Sequence, residues 1–448
     1  MSDLARGRTA VACEDSPRGP ERLPVPEAND LTWTAFRDNW ALVVADVGWF
    51  TTDHLFREAA ALGIPALLLT CLDWRNALLR GYSPRRFVTS PVGWGRGEQT
   101  RADGPDGPWR REVILPPGWM KRFPTLAMRP IARIIRAWTS RVAPQRRLAL
   151  VMTYPHYMIV RDLLGSSVAG LIYYCLDDYR IYWPGAVAAL EVLERRAVVE
   201  SDLAAGASGV LAGRLAARLP SGADRRRVIH LPHGHPSGWE RGEASAEAAV
   251  PEALAALPRP WLGLVGTLGD RVDWPLLERL ADEFPGGSLV LVGRIDDDHV
   301  SQPWRVARAR VLARSNVHSL GWRAQSEVAA LNAAFDVGLI PYRLDDPFNQ
   351  ACCPTKLLDG LGAGRPQVAT ALPECQRHAG LIGLATNAEE FVKEVRQALE
   401  GDSPEARSAR LARAEDWSCR RQLLRLLMAL ADQTTPSGAT VADGRQAG

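Results

Sequence analysis

Several features that would mark particular protein classes are missing from this 448-residue sequence. Lys+Arg and Asp+Glu nearly balance, 54 against 51, so the basic excess typical of a nucleic-acid binder is absent. No apolar run reaches the roughly 18 residues that a membrane-spanning helix needs. No apolar segment follows the charged residues at the start, which argues against a secretory signal. The 7 cysteines form no C-x-x-C pair and predict reduced thiols in a cytoplasmic protein.

Two nucleotide-binding signatures are missing as well. The sequence contains neither a G-x-x-x-x-G-K-[ST] phosphate loop nor a G-x-G-x-x-G dinucleotide fingerprint. NTPases and NAD enzymes built on those motifs are therefore excluded. What remains is a globular chain with 46% apolar and 23% charged residues, long enough for two or three domains of about 150 residues each.

The periodicity of the first half predicts an α/β domain. A buried strand over 40–46 is followed by a turn, a helix over 53–63 and a second strand over 64–70. Alternating strands and helices of this kind are typical of a parallel sheet. The pattern continues with the following predicted elements: strands at 148–153, 171–175 and 209–212, and a helix at 185–201.

A second α/β series begins after a Glu-, Ala- and Pro-rich stretch. Its predicted strands are 261–265, 288–292, 317–320, 337–340 and 367–369, and its predicted helices lie near 273–284, 325–335, 355–363 and 388–400. We therefore predict two successive doubly wound units. The predicted organisation is a disordered tail 1–36, a first domain 37–236, a linker 237–260, a second domain 261–405, a helix 406–431 packing back toward the first domain, and a loose tail 432–448.

The segment 349–370 carries the clearest chemical pattern. Pro354 can open a helix, Lys356 then lies in the first turn, and Asp359 follows one turn later. A helix start with a cation forms an anion pocket, and a nearby carboxylate can hold the hydroxyls of a sugar. Gly362 and Gly364 allow a close approach and a C-terminal cap. The alternative is an ordinary capped helix that leads into a strand.

This segment resembles a motif of a known family. Pro-Thr-Lys-Leu-Leu-Asp-Gly-Leu-Gly-Ala-Gly-Arg-Pro-Gln-Val is similar to P-x-K-x-x-E-x-x-A-x-G-x-P-V of retaining GT-B glycosyltransferases. Other family motifs are matched in the same order, at 173–178, 194–202, 228–234, 262–273, 316–321 and 336–342. The resemblance runs from about 40 to 425. The subgroup that the chain resembles adds sugars in bacterial surface-polysaccharide or teichuronic-type pathways.

The resemblance implies an α/β fold of GT-B architecture, with two Rossmann-like domains facing a cleft. It implies an enzyme that moves a sugar from a nucleotide-diphosphate donor to a glycan, lipid-linked or small-molecule acceptor, with retention and without a metal or cofactor. The sequence has no acidic D-x-D motif at a position where it could bind a divalent metal for this reaction. The residues that would bind the donor are Gly266, Thr267, Arg271, Pro354, Lys356 and Asp359.

Four further positions are placed on the acceptor side or in the cleft: Gly48, Asp177, His233 and Gly234. His156 follows a strand end, where doubly wound sheets bind ligands, and is the candidate catalytic residue. Three of these positions have a structural alternative, since His156 can be a packed core histidine, Asp177 a cap and Gly48 a routine turn.

The sequence departs from the family motifs at three positions. Asp359 replaces the usual Glu, Ala351 replaces the first carboxylate of an E-x7-E pattern, and His233 replaces the Asn of P-N-G. The departures at Asp359 and Ala351 leave open a second function, a weakly active scaffold of a polysaccharide complex. A third possibility is a GT-B-fold epimerase that acts on a nucleotide-sugar.

Residues 121–147 predict a basic amphipathic helix. Ile131, Ile134, Ile135 and Trp138 share one face, and this stretch contains no acidic residue. Such a helix can hold a protein on the cytoplasmic face of the inner membrane, with tryptophan as an interfacial anchor. The alternative is a helix that packs its apolar stripe on the core and leaves a solvated basic face.

Overall fold

The computed structural model describes residues 31–73, 100–101, 107–116, 119–236, 251–296 and 300–434. Most of the predicted tails and linker lies outside these residues. The described parts of the two predicted tails are helical instead of disordered or loose. Residues 31–36 belong to the first helix, and residues 432–434 belong to the last one.

The first domain is built on a mostly parallel sheet. In the described residues its strands are β1 Trp40–Ala45, β2 Ala66–Asp73, β3 Thr100–Arg101, β4 Trp109–Leu115, β5 Arg147–Met152, β6 Val168–Cys175, β7 Leu203–Gly206 and β8 Val228–His230. They lie in the order β3-β4-β2-β1-β5-β6-β7-β8, and only β3 pairs antiparallel. The central strands read as continuous apolar runs because helices cover both faces of the sheet.

The helices of this domain, in chain order, are α1 Leu31–Asn39, α2 Phe50–Ala61, α3 Trp119–Arg122, α4 Pro124–Val142, α5 Met158–Leu164, α6 Tyr179–Tyr182, α7 Val187–Glu200 and α8 Gly209–Ala216. Single 3-10 turns occur at Pro155–Tyr157, Gly165–Ser167, Pro184–Ala186 and Arg225–Arg227. The strand order reverses between β1 and β5, so the ends of these two strands define the crevice where doubly wound sheets bind ligands.

The second domain has a parallel sheet of the order β11-β10-β9-β12-β13-β14. Its strands are β9 Trp261–Val265, β10 Ser288–Val292, β11 Val317–Gly321, β12 Val337–Ile340, β13 Gln367–Thr370 and β14 Gly383–Ala385. Its helices are α9 Glu252–Ala255, α10 Trp274–Glu283, α11 Gln302–Leu312, α12 Gln325–Ala334, α13 Pro347–Ala351, α14 Thr355–Gly362, α15 Pro373–Gln376 and α16 Ala388–Glu400. The strand order reverses between β9 and β12, which places this domain's crevice at the ends of those strands.

The strand predicted at 209–212 is wrong. These residues begin helix α8, and the strand lies earlier, at β7. The Ser208 hydroxyl accepts a hydrogen bond from the Leu211 amide at 3.1 Å and caps the helix. A run of four apolar residues fits a strand and a buried helix equally well, so the cap, not the apolar run, decided the local structure.

The apolar stripe predicted on 121–147 faces inward. Ile131, Ile135 and Trp138 on α4 are fully buried in the core of the first domain. Trp138 is therefore not an interfacial anchor, which corrects that part of the prediction. The packing alternative is correct for the stripe, while the arginines on the opposite side, such as Arg129 and Arg133, are exposed.

The chain crosses back to the first domain at its C-terminal end. The single helix predicted over 406–431 is two helices, α17 Pro404–Asp416 and α18 Cys419–Thr434. Leu423, Leu427 and Leu430 of α18 are buried in the core of the first domain. The break between the helices contacts residues 231–236, the segment that follows β8 and that we call the first crossing. The His235 amide donates to the Trp417 carbonyl and the Cys419 amide donates to the His235 carbonyl, both at 2.8 Å.

No helix among the described residues has the length and apolar character that crossing a membrane requires.

Candidate active site

Two glycine turns meet at the crevice of the second domain. Gly266 follows β9 with a φ of 129°, and Gly293 follows β10 with a φ of 148°. Both angles lie in the region that side chains disfavour. A Cβ on Gly293 would lie 1.9 Å from the Gly266 carbonyl oxygen, so the close approach of the turns requires glycine. Thr267 is exposed next to this turn.

Lys356 points at the same turn from the start of α14. Its Nζ lies 3.0 Å from the position that a Cβ on Gly266 would occupy and 4.3 Å from the centre of the Tyr342 ring. The lysine is 9% exposed, and its Nζ has no hydrogen-bond partner among the described residues. Pro354 occupies the position directly before the helix and makes no side-chain hydrogen bond to it. A buried ammonium group at a helix start, whose N–H donors make no hydrogen bond within the described residues, can bind an anion such as a diphosphate.

Asp359 lies one turn further along α14, on a pocket between the domains. The pocket is lined by Phe50, Thr51, His54, His233, Gly234, Pro236, Thr355, Leu358 and Asp359. Burial raises the pKa of Asp359 to about 7, with the nearby Lys356 cation opposing the rise. The carboxyl therefore exchanges its proton near neutral pH, and in either form it can hydrogen-bond a hydroxyl.

Arg271 lies on the side of the second domain that faces the first. Its Nε donates to Asn349 Oδ1 at 2.8 Å, and its guanidinium lies over the rings of Phe348 and Tyr342, at 4.3 and 4.7 Å from their centres. Asn349 is fully buried and donates from Nδ2 to the carbonyls of Arg271 and Arg343, both at 3.0 Å. Asn349 thus fixes Arg271 in place. Our sequence reasoning missed this role, and only its position within the 349–370 segment hinted at it.

The first domain supplies Gly48 and Asp177 at the ends of β1 and β6. The exposed Gly48 donates its amide to Asp46 Oδ1 at 2.9 Å, and Asp46 itself has a φ of 81°. Asp177 accepts from the Tyr182 hydroxyl at 3.2 Å. Burial raises the pKa of Asp177 to about 6, while Arg271 and the Tyr182 hydrogen bond oppose the rise. The charge of Arg271 in the second domain therefore acts electrostatically on Asp177 in the first domain.

His156 is 6% exposed and packed among aromatic rings. Its ring centre lies 4.5 Å from that of Tyr157 and 5.4 Å from those of Tyr154 and Trp119. Burial lowers the pKa of His156 to about 3, so the ring is neutral at physiological pH. The contacts show a packed histidine near the crevice of the first domain, and its catalytic role stays a prediction.

His233 and Gly234 lie on the first crossing between the domains. A Cβ on Gly234 would lie 2.4 Å from the Cys419 Cα, so glycine is required where the two crossings touch. Burial lowers the pKa of His233 to about 4, with Glu374 opposing. Gly362 has a similar constraint, because its Cβ would lie 2.0 Å from Nε2 of His235.

Glu374 connects the domains behind the pocket, and sequence reasoning did not single it out. Its Oε2 accepts from the Gly209 amide at 2.9 Å, and its Oε1 lies 2.9 Å from Nε2 of His230. Although burial works the other way, the hydrogen bond from His230 lowers the pKa of Glu374. Ser208 adds a second link by donating to the Ala351 carbonyl at 2.6 Å.

Metal ligands were also sought among the side chains that the structure describes. Within those ranges no group of three or more His, Cys, Asp or Glu residues is arranged to hold a metal ion. The expectation of a metal-independent reaction stays a prediction.

Comparisons with known proteins agree with this arrangement. Residues 260–401 match the family model described as glycosyl transferases group 1. TuaH of Bacillus subtilis (strain 168), which its name provisionally assigns to teichuronic acid biosynthesis as a glycosyltransferase, is 24% identical over 302 residues, 61% of this chain and 70% of TuaH.

Solved structures share the architecture at low identity. HepE of Anabaena, solved in complex with UDP, has a TM-score of 0.61 at 15% identity and covers 88% of this chain and 100% of its own. The UDP-forming trehalose-phosphate synthase of Burkholderia xenovorans has a TM-score of 0.58 at 12% identity, with 89% and 99% covered. These likenesses confirm the predicted GT-B architecture of two α/β domains.

The second domain, with its glycine turns and its lysine-bearing helix start, is a glycosyl transferase group 1 domain. The protein is a glycosyltransferase, as predicted.

Proposed function

We propose that the protein transfers a sugar from a nucleotide-diphosphate donor to a glycan, lipid-linked or small-molecule acceptor, with retention of configuration. One observation carries the proposal: the buried Nζ of Lys356 has no hydrogen-bond partner among the described residues and lies beside the Gly266 turn. Burying a charge without hydrogen bonds costs free energy of folding, unless a ligand supplies hydrogen-bond acceptors and an opposite charge. A diphosphate between Gly266 and the start of α14 would supply the missing acceptors.

The structural neighbours support the donor class. HepE has been solved with UDP and with UDP-glucose, and the Burkholderia xenovorans enzyme is named as UDP-forming. These ligands belong to those proteins. Since the architecture is shared, UDP-sugars are the first donors to test.

The reaction would depend on charge stabilisation and positioning. Breaking the bond between the sugar and the diphosphate places negative charge on the leaving oxygen, which Lys356 and Arg271 would stabilise. Asp359 would hold a ribose hydroxyl, and the departing diphosphate would accept the proton of the attacking acceptor hydroxyl. No side chain is required as a nucleophile in this scheme, and fixing the reactants together supplies much of the rate.

The decisive experiment measures nucleoside diphosphate release from a panel of UDP-, GDP- and TDP-sugars, with and without acceptor preparations. Thermal shift with the same panel identifies the nucleotide, because a ligand of the native state raises its stability. Acceptor-dependent release supports the proposal. Binding without release would favour the scaffold, and conversion of the nucleotide-sugar to its epimer without release would favour the epimerase.

We further propose that the basic side of α4 binds an anionic membrane surface on the cytoplasmic side. Arg129, Arg133 and Arg141 are exposed, the stretch 119–147 contains no acidic residue, and Leu126 on the same helix is 60% exposed. Each basic group near such a surface contributes about 1 kcal/mol. A lipid-linked acceptor would then lie close to the enzyme.

Sedimentation with liposomes tests this proposal. The variant Arg129→Glu/Arg133→Glu should lose binding to vesicles that contain phosphatidylglycerol, while pure phosphatidylcholine vesicles bind neither protein. Arg136 is left in place because it donates to the Leu163 carbonyl. Arg195→Glu/Arg225→Glu, on exposed arginines elsewhere in the first domain, is the matched control. Equal binding by both double variants would refute a role for α4.

A further inference from the structure

Aromatic side chains gather at the crevice of the first domain. We call Trp49, Tyr154, Tyr182 and Trp183 the aromatic face. Trp49 follows β1, Tyr154 follows β5, and the other two follow β6. Adjacent ring centres are 5.8 to 6.5 Å apart. Trp49, Tyr182 and Trp183 are 44%, 40% and 37% exposed, and an exposed apolar patch of this kind typically marks a binding site.

The aromatic face is held in shape before any ligand binds. Trp49 Nε1 donates to the Tyr154 hydroxyl at 2.7 Å. The Tyr154 ring packs against Tyr179, with centres 4.7 Å apart, and the Tyr179 hydroxyl donates to the Thr153 carbonyl at the end of β5. Rings fixed in this way lose little conformational freedom on binding, so their contacts contribute fully to affinity.

The aromatic face ends next to the proposed diphosphate site. Tyr182 meets Phe348 of the second domain edge to face, with ring centres 5.5 Å apart. Phe348 is also the ring on which the Arg271 guanidinium lies, at 4.3 Å. A molecule resting on the aromatic face would therefore be adjacent to the leaving group of the donor.

The charges beside the aromatic face indicate what it can bind. Its polar edge carries the Asp177 carboxyl, which is bonded to the Tyr182 hydroxyl. Arg180, a cation close in sequence, is paired with Asp178 at 2.5 Å. A negatively charged or phosphorylated group at this edge would thus meet the Asp177 carboxyl, while Arg271, the cation on the opposite side, is held by Asn349 over the rings of Phe348 and Tyr342. Aromatic faces are electronegative and attract the weakly positive C–H groups of a saturated ring, while carboxyl and hydroxyl groups bind its hydroxyls.

The geometry points to the aromatic face as an acceptor subsite that binds an uncharged sugar ring of a glycan, stacked chiefly on Trp183. This inference rests on the proposed function and specifies the substrate on its acceptor side. Asp177 would bind a hydroxyl at the edge of that ring, on the side that faces Arg271.

A printed array of bacterial surface glycans, probed with the full-length protein in the presence of UDP, tests the subsite. We expect binding to glycans that expose uncharged sugar rings. Trp183→Leu keeps apolar area but removes the ring and should weaken the affinity for the best glycan about tenfold, or about 1.4 kcal/mol. Trp183→Phe keeps a ring and should bind within about twofold of the wild type.

UDP binding is measured separately for each variant by thermal shift. It should be unchanged, which shows that the variants fold and that the donor site is intact. Equal glycan affinity of the Leu and Phe variants, binding of acidic glycans alone, or no glycan binding by a wild type that binds UDP would each overturn the subsite. A wild type that binds no nucleotide would instead refute the proposed function.

Discussion

The two sides of the interdomain space differ in chemistry. The second domain offers backbone turns and cations, with Gly266, Lys356 and Arg271 held near the ends of β9 and β12. The first domain offers aromatic rings and a carboxyl group, with Trp183 and Asp177 at the end of β6. One side is suited to phosphates and the other to a hydroxylated ring.

This difference shows how one fold used twice can divide a transfer reaction. Each sheet reverses its strand order, which places a crevice at its strand ends, and Tyr182 of the first domain contacts Phe348 of the second. In the proposed function the side chains on these loops, not the fold, would assign donor and acceptor to opposite sides. This division would be wrong if a substitution in the second domain changed acceptor binding, or if one in the first domain changed donor binding.

The largest effect is expected at the cationic side. Lys356→Met should lower kcat/KM for the donor about 100-fold or more, because removing one electrostatic contact to a leaving group costs about 3 kcal/mol. The variant should be at least as stable as the wild type, since it removes a buried charge that lacks a hydrogen bond. Steady-state kinetics and thermal unfolding measure both.

Lys393→Met, on the exposed side of α16, is the matched control and should behave as the wild type. Unchanged donor kinetics in Lys356→Met would remove the diphosphate from the start of α14. A large loss of stability would show that the lysine is structural.

The next effect concerns the joint between the two sides. Gly234→Ala should lower the free energy of unfolding by about 2 kcal/mol, because the added Cβ would lie 2.4 Å from the Cys419 backbone, which cannot move aside. Gly286→Ala, where nothing lies within 4 Å of the added Cβ, is the control. Denaturant unfolding decides the outcome, and equal stability of the two variants would contradict the close packing of the crossings.

A smaller effect is expected at Asp359. Its pKa is raised by burial from 3.8 to about 7, so the folded protein holds this proton more tightly than the unfolded chain does. The stability contributed by this group is therefore present below about pH 4 and is lost as pH rises to about 7. Asp359→Asn should flatten this pH dependence and raise stability at about pH 8, while the donor KM rises about tenfold through a weakened hydrogen bond.

Unfolding measured across this pH range tests the sign. Asp432→Asn, an exposed position, should leave the profile as it is. If the wild type shows no decline toward neutral pH, the carboxyl of Asp359 is not held in a charge-disfavouring site.

The smallest effect is expected at the aromatic side. Asp177→Asn should raise KM about threefold for a glycan that binds the aromatic face, since one hydrogen bond is weakened. Because the pKa of Asp177 is raised by burial to about 6, use of this acceptor by the wild type should fall as pH drops through about 6. The variant should lack this decline while its donor KM stays constant. A changed donor KM would show that Asp177 serves the other side of the comparison.

Much of the second domain could be predicted from local sequence. The strands at 261–265, 288–292 and 337–340 have the predicted bounds, as does the helix at 388–400. These are continuous apolar strands between strong turn signals, and a helix with a single apolar stripe. The first domain was less predictable, since the strand Trp109–Leu115 depends on pairing with the distant strand Ala66–Asp73. At 209–212 the apolar run fitted a strand as well as a helix, and the local Ser208 cap was not recognised.

The sequence by itself determined that the chain forms two α/β domains and that a proline, a lysine and a carboxylate open a helix in the second. Hydrophobic period, caps and turns act over a few residues and can be read locally. The tertiary structure decided that Lys356 meets a turn about 90 residues away, that Asn349 fixes Arg271, and that rings from separate segments form one aromatic face. Those contacts follow from strand order and packing, which join distant parts of the chain and leave no local pattern.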